Sequence, residues 1–126
     1  MQIEYVATPD APQAIGPYSQ AVKAAGFVYT SGQIALDPAT GKLVDGSFED
    51  QVHRVFKNLE AILRAAGTDF SRVLKATVFL TSLDNFSALN TIYASYFGDH
   101  KPARTTVEVP ALPKTAAVEI DLIALV

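Results

Sequence analysis

Two charged residues late in the chain, Arg104 and Glu119, are of the types that a site for a small carboxylic acid needs. An arginine guanidinium donates two parallel hydrogen bonds from a planar fork and stays charged at any working pH. A carboxylate beside the bound molecule can orient a water and take its proton. Both residues fall in strand-like runs, 104–109 and 116–125, which a Pro-containing turn from Pro110 to Thr115 would join as an antiparallel pair. If Val107 and Val109 face the core with Val118, Ile120 and Leu122, then Arg104, Thr106 and Glu108 share the other face with Glu119 and Asp121. With Val109 opposite Ala116, Arg104 and Glu119 become diagonal neighbours about 7–8 Å apart at the backbone, a gap that fits a small ligand. The same placement also suits a plain ion pair of Arg104 with Asp121 or Glu119, worth about 0.2–1 kcal/mol at an exposed edge. Spacing alone does not choose between the two.

Other side chains are weaker candidates. Tyr18 follows the rigid Gly16-Pro17 turn, which would aim its ring reproducibly, although a core tyrosine with a polar tip fits as well. Thr30-Ser31-Gly32 ends a strand, where Gly32 would either present its N–H to an oxyanion or serve as an ordinary turn residue. His53 lies between core positions of a helix and His100 follows a second helix, so both read as solvated. Neither histidine has a partner at metal spacing, and no metal is expected. Serines avoid any nucleophile elbow, and glycine patterns for phosphate or dinucleotide are missing.

The elements that must position these residues follow from periodicity. Residues 3–7, 19–24 and 27–31 read as strands, with Gly26 turning the second into the third. From Gly32 to Gly46 turn residues dominate, predicting a loop or irregular hairpin. Val52, Val55, Phe56, Leu59, Ile62, Leu63 and Ala66 then mark one helical face, with Ser47 as cap and Gly67 as stop. Residues 73–81 alternate, with Leu74, Ala76, Val78 and Leu80 on one side. Asp84 begins a second helix with a buried stripe of Phe86, Leu89, Tyr93, Tyr96 and Phe97, and Pro102 keeps it from continuing. The order βββαβαββ predicts an α+β domain over 1–126 with both helices on one face of one sheet. The opposite face would carry Tyr29, Thr77, Phe79, Ile123 and Leu125, too apolar to leave wet, so a homo-oligomer is expected.

Bulk properties narrow the classes. With 126 residues, 18 % charged residues and a net charge of −3, the chain suits one globular domain and makes nucleic acid a poor partner. It has no cysteine, which removes disulfides, thiolate metal sites and a cysteine nucleophile. The first residues lack a signal-peptide pattern, and no run approaches the ~20 apolar residues of a membrane span. A cytoplasmic protein is expected.

Four stretches taken together resemble the reactive intermediate deaminase (RidA/YjgF) family: Ile15-Gly16-Pro17-Tyr18-Ser19-Gln20-Ala21, Thr30-Ser31-Gly32-Gln33-Ile34, Pro102 through Val109, and Leu112-Pro113-Lys114 through Ile120. The resemblance runs nearly end to end. It implies a chorismate-mutase-like subunit, a homotrimer with a central β-barrel, and three sites in the clefts between subunits. It further implies hydrolysis of 2-aminoacrylate/2-iminopropanoate and 2-iminobutanoate to 2-oxo acids and ammonia, without a cofactor. On this resemblance Arg104 clamps the substrate carboxylate, Glu119 holds the attacking water and Tyr18 hydrogen-bonds substrate or water. Asn90 adds a polar wall, Gly32 and Thr106 offer backbone groups, and Ser31 shapes the strand end. Thr106 stands where many members carry cysteine, and the segment 98–103 looks shorter than in some. The alternative is a trimeric carboxylate-binding module or chaperone without turnover. Ribonuclease activity, as reported for some relatives, fits the acidic balance poorly.

Overall fold

The computed structural model describes residues 2–126; Met1, the first residue of the expected domain, lies outside them. The chain forms β1 (Glu4–Val6), β2 (Ala21–Ala24), β3 (Phe27–Thr30), α1 (Phe48–Ala66), β4 (Val73–Leu80), α2 (Phe86–Phe97), β5 (Ala103–Glu108) and β6 (Val118–Leu125). This is the expected βββαβαββ order, an α+β layer with two helices on a mixed sheet. Strands β2 and β3 close through Ala25 (φ 54°) and Gly26 (φ 85°), the two left-handed residues that a tight right-twisting hairpin turn requires.

Helix α1 starts and stops where its sequence signals lie. Ser47 Oγ accepts from the Asp50 N–H while the Asp50 carboxylate accepts from the Ser47 N–H, and Gly67 ends the helix at φ 89°. Its apolar stripe is buried against the sheet, and the stripe includes one polar residue, Asn58, that is 0 % exposed. Asn58 donates to the carbonyls of Leu36 (2.9 Å) and Ile34 (3.4 Å) and accepts from Arg54 Nε (3.0 Å), tying the 32–46 loop to the helix. A one-turn 3-10 helix, Leu83–Asn85, capped by Ser82, precedes α2 and takes up the expected start at Asp84. In α2, Leu89, Ile92 and Phe97 are buried, whereas Phe86, expected in the buried stripe, is 39 % exposed at the first position.

The sheet order β1-β2-β3-β6-β4-β5 corrects the expectation for the last two strands. They do not pair. β6 runs antiparallel to both β3 and β4, and β5 lies outside β4 as a parallel edge strand, because α2 carries the chain over the sheet as a β-α-β crossover. The proline-containing link after β5 passes the end of β4, held by Val109 N–H to Leu80 O (2.8 Å) and Thr81 N–H to Ala117 O (3.3 Å).

Register also reverses the parity assigned to β5. Arg104, Thr106 and Glu108 align with Ala76, Val78 and Leu80, the buried helix-facing side of β4, so Val107 turns to the open face and is 39 % exposed. At the start of β4 the pairing slips between Val73 and Lys75, which buries Val73 and leaves Leu74, expected on the core side, 41 % exposed. The core lies between the sheet and the two helices. The other face is uncovered by any part of the described chain: Tyr29 is 44 % exposed, and Thr77, Phe79, Ile123 and Leu125 are half-buried.

Candidate active site

The residues singled out in the sequence gather in two groups on opposite faces of the sheet. The first surrounds Glu119. β3 pairs with β6 up to Tyr29 and Ile123, and the chain then rejoins β6 at Gln33 and Ile120, four residues on against three. The extra residue is a bulge. Thr30 Oγ1 fills the gap by accepting from the Leu122 N–H at 3.0 Å. Ser31 is stapled to the preceding segment, its N–H to Gln20 O (2.9 Å) and its Oγ to Ser19 O (2.5 Å). Gln20 is itself buried, donating to the carbonyls of Thr8, Ala11 and Pro12 and accepting from the Thr8 N–H. These bonds fix the 15–20 turn against the bulge.

Gly32, at the bulge, lies under the Glu119 carboxyl. A Cβ there would sit 2.9 Å from Glu119 Cδ and 3.0 Å from Oε2, so only glycine leaves room for this approach. The Gly32 N–H has no acceptor among the described residues, while its neighbours Ser31 and Gln33 both donate to carbonyls. A cleft of about 270 Å³ opens over this point, lined by Pro12, Ile15, Tyr18, Gly32, Lys114 and Glu119. Tyr18 is 54 % exposed, its turn closed by an N–H bond to Gly16 O (2.9 Å) at a glycine with φ 126°. A larger hollow of about 550 Å³ also borders Tyr18 and has no charged side chain in its lining. Lys114, which lines the Glu119 cleft, and Thr115 after it are consecutive left-handed residues (φ 57° and 60°), conformations that cost energy without glycine and concentrate at functional sites.

The second group surrounds Arg104 on β5. Its Nη1 donates to Asn90 Oδ1 at 2.8 Å, and its Cζ lies 4.8 Å from the Tyr93 ring centroid and 5.5 Å from that of Phe86. No carboxylate within 4 Å pairs with it; among the described residues the ion pairs are Lys23–Glu4 and Arg64–Glu60. Thr106, two residues on along the same face, has its hydroxyl buried without a partner. Because Val109 donates to Leu80 O, the two-residue period turns the peptide groups of residues 105 and 107 toward β4 and those of Arg104, Thr106 and Glu108 toward the free edge.

Within one chain the two groups do not meet. Arg104 aligns with Ala76, which pairs with Leu122, so Glu119 is two strands across and three residues along, about 14 Å away at the backbone and on the opposite face. This replaces the diagonal pairing expected from the sequence and also removes the plain ion pair, since Asp121 lies opposite Thr77 and not Arg104.

Electrostatics distinguish the Glu119 side. Burial, and then the Asp121 carboxylate on the same face, push the Glu119 carboxyl above the ordinary carboxylate value. Asp121 is raised as well, mainly by burial, with its Thr77 hydrogen bond and Lys75 pulling the other way. Glu119 is thus a stronger base than a solvated carboxylate. Of the histidines, His53 Nδ1 shares a 2.8 Å hydrogen bond with Tyr96 OH at the surface, and His100, expected to be solvated, is half-buried with Nε2 2.6 Å from Val73 O. No group of three or more potential metal ligands occurs among the described residues, and no helix among them is long and apolar enough to cross a membrane.

Sequence reasoning missed Tyr93, Phe86, Lys114 and Asn58. The aromatics occupy helical core spacing and carried no sign that an arginine would lie against them; Lys114 stood within a turn and a family-like stretch, with nothing local to mark it as part of a cleft.

A family model described as endoribonuclease L-PSP matches residues 8–126. The chain belongs to this family, the RidA/YjgF family. Over 119 residues it is 48 % identical to a goat (Capra hircus) protein named 2-iminobutanoate/2-iminopropanoate deaminase, covering 94 % of this chain and 87 % of that one. A solved Rid-family structure from Yersinia pestis, described as of unknown function, superposes with a TM-score of 0.97 at 49 % identity, covering 99 % of this chain and 100 % of that one. The structure of E. coli TdcF with bound serine superposes with a TM-score of 0.92 at 39 % identity over 98 % of both chains. The family's members thus share this fold end to end, and names within it range from deaminase to endoribonuclease.

Proposed function

We propose that the protein hydrolyses short 2-imino acids, 2-iminopropanoate and 2-iminobutanoate, to 2-oxo acids and ammonia, in sites completed by a neighbouring copy of the chain. The observation that carries this reading is the separation of Arg104 and Glu119 on opposite faces, each without an ion-pair partner among the described residues. A homotrimer whose open sheet faces meet in a central barrel would cover Tyr29, Phe79, Ile123 and Leu125, and would bring Arg104 of one subunit to the Glu119 cleft of the next. Relatives named as imine deaminases and the amino acid bound in TdcF support a small amino- or imino-carboxylate as the substrate.

The chemistry follows from the groups present. The Arg104 fork takes the substrate carboxylate. Glu119 accepts a proton from a water held over Gly32, and the hydroxide equivalent adds to the imine carbon, whose nitrogen is protonated. The resulting carbinolamine transfers its hydroxyl proton toward nitrogen, the C–N bond breaks with its electron pair leaving on ammonia, and the C=O of the 2-oxo acid forms. Tyr18 hydrogen-bonds substrate or water from the cleft wall, and the unpaired Gly32 N–H is available to the oxygen as charge develops there. No step calls for a metal or an organic cofactor.

Arg104→Ala tests the reading. With 2-iminopropanoate generated in situ, ammonia release is expected to fall to the uncatalysed rate in a folded oligomer; retained turnover would sink the assignment. Carboxylate binding without turnover in the unaltered protein would mark a binding module instead.

A further inference from the structure

Phe86, Asn90 and Tyr93 stand at the first, fifth and eighth positions of α2, spacing that places them along one side of the helix. All three touch the Arg104 guanidinium: Asn90 through a hydrogen bond at one nitrogen, Tyr93 and Phe86 through their rings at 4.8 and 5.5 Å. A single hydrogen bond fixes one corner of the fork but leaves its plane free to tilt. A ring against the guanidinium fixes the plane. The Tyr93 ring is itself immobilised, 4.5 Å from Phe97 and 5.9 Å from Phe56, both buried. Its hydroxyl is buried without a partner, and burial pushes the phenol above its ordinary value, with the Arg104 charge opposing. What Tyr93 contributes is therefore its ring.

We infer that Tyr93, assisted by Phe86, is a positioning residue that holds the plane of the Arg104 fork ready for two-point capture of a planar carboxylate. This rests on the carboxylate-clamp reading of Arg104. An arginine side chain loses much rotamer freedom when it is immobilised, and a fork fixed before the ligand arrives does not bear that cost at binding. Tyr93 acts through Arg104 alone, so its loss raises KM and the dissociation constant of a carboxylate ligand while leaving kcat within about twofold. The exposed Phe86 sits at the rim and sets the same plane more weakly.

The test is calorimetric titration with 2-oxobutanoate, alongside steady-state turnover, for the unaltered oligomer, Arg104→Ala, Tyr93→Phe, Tyr93→Leu and Phe86→Leu. Tyr93→Leu should weaken binding by about tenfold, Tyr93→Phe should restore it, and Phe86→Leu should weaken it by about threefold. Phe86 is at the surface, so its variant folds and keeps the test open if Tyr93→Leu does not. Leucine variants that bind as tightly as the unaltered protein, or a Tyr93→Phe variant as weak as Tyr93→Leu, would overturn the inference. If Arg104→Ala binds 2-oxobutanoate as well as the unaltered protein, the clamp reading itself fails, which is a different result from loss of the ring effect alone.

Discussion

Replacing Gly32 by alanine separates the cost of folding from the cost of catalysis. The new Cβ would lie 2.9 Å from Glu119 Cδ, about 0.5 Å inside the 3.4 Å at which ordinary contact begins. Overpacking a well-filled site costs about 1–3 kcal/mol, but the atoms struck here are the far end of a flexible side chain, which puts the cost near about 1 kcal/mol. For a chain of this length that lowers Tm by roughly 4 °C. The carboxyl relieves the contact by moving roughly 0.5–1 Å, and a misplacement of that size at a reacting group costs about a hundredfold in rate. Ammonia release from 2-iminopropanoate generated in situ, measured beside thermal unfolding, should therefore show kcat/KM down by about two decades with the fold intact. Full activity in Gly32→Ala, or a loss no larger than the fraction unfolded, would refute the close approach of Glu119 to Gly32 as a catalytic feature.

The remaining predictions concern charge and anchoring. Asp121→Asn removes the neighbour that, after burial, raises Glu119, so the acid limb of the kcat/KM profile should move to lower pH. Both carboxyls are raised in the folded state, so the stability they contribute is present below their ordinary range and is lost as pH rises through the raised values; denaturant midpoints measured from about pH 4 upward should fall less steeply in Asp121→Asn. Asn58→Ala leaves the Leu36 carbonyl without its buried donor and should cost about 2–3 kcal/mol in urea unfolding, with the 32–46 loop losing hydrogen-exchange protection first. Ser47→Ala should cost about 1 kcal/mol by the same measurement and leave turnover unchanged, since it touches only the start of α1.

What the sequence made legible was local. The cap at Ser47, the stop at Gly67, the seven-residue apolar stripe between them and the tight turn at Gly26 are written in neighbouring residues, and the structure has each in place. The uncovered apolar face also followed from strand parity alone. The misreading arose where adjacency in sequence and adjacency in space part. Residues 104–109 and 116–125 look like a hairpin because their link is short and contains proline, yet the crossover through α2 places β5 outside β4 and leaves β4 between them. Parity then failed as well, because Arg104 and Thr106 lie on the helix-covered side at an edge that α2 only partly buries. The bracket around Arg104 was hidden for a related reason: Phe86 and Tyr93 have the spacing of core residues, and nothing local marks which aromatic faces a charge.

The central claim, a site built from Arg104 of one copy and Glu119 of the next, is tested most directly by mixing two inactive variants. Arg104→Ala supplies an intact Glu119 side and Glu119→Gln an intact Arg104 side. In oligomers reassembled from equal amounts, about one interface in four pairs the two intact sides. The reassembled population, its mixed oligomers verified by native mass, is expected to regain about a quarter of the activity of the unaltered protein toward 2-iminopropanoate. Verified mixed oligomers that stay at the background of the separate variants would contradict the account.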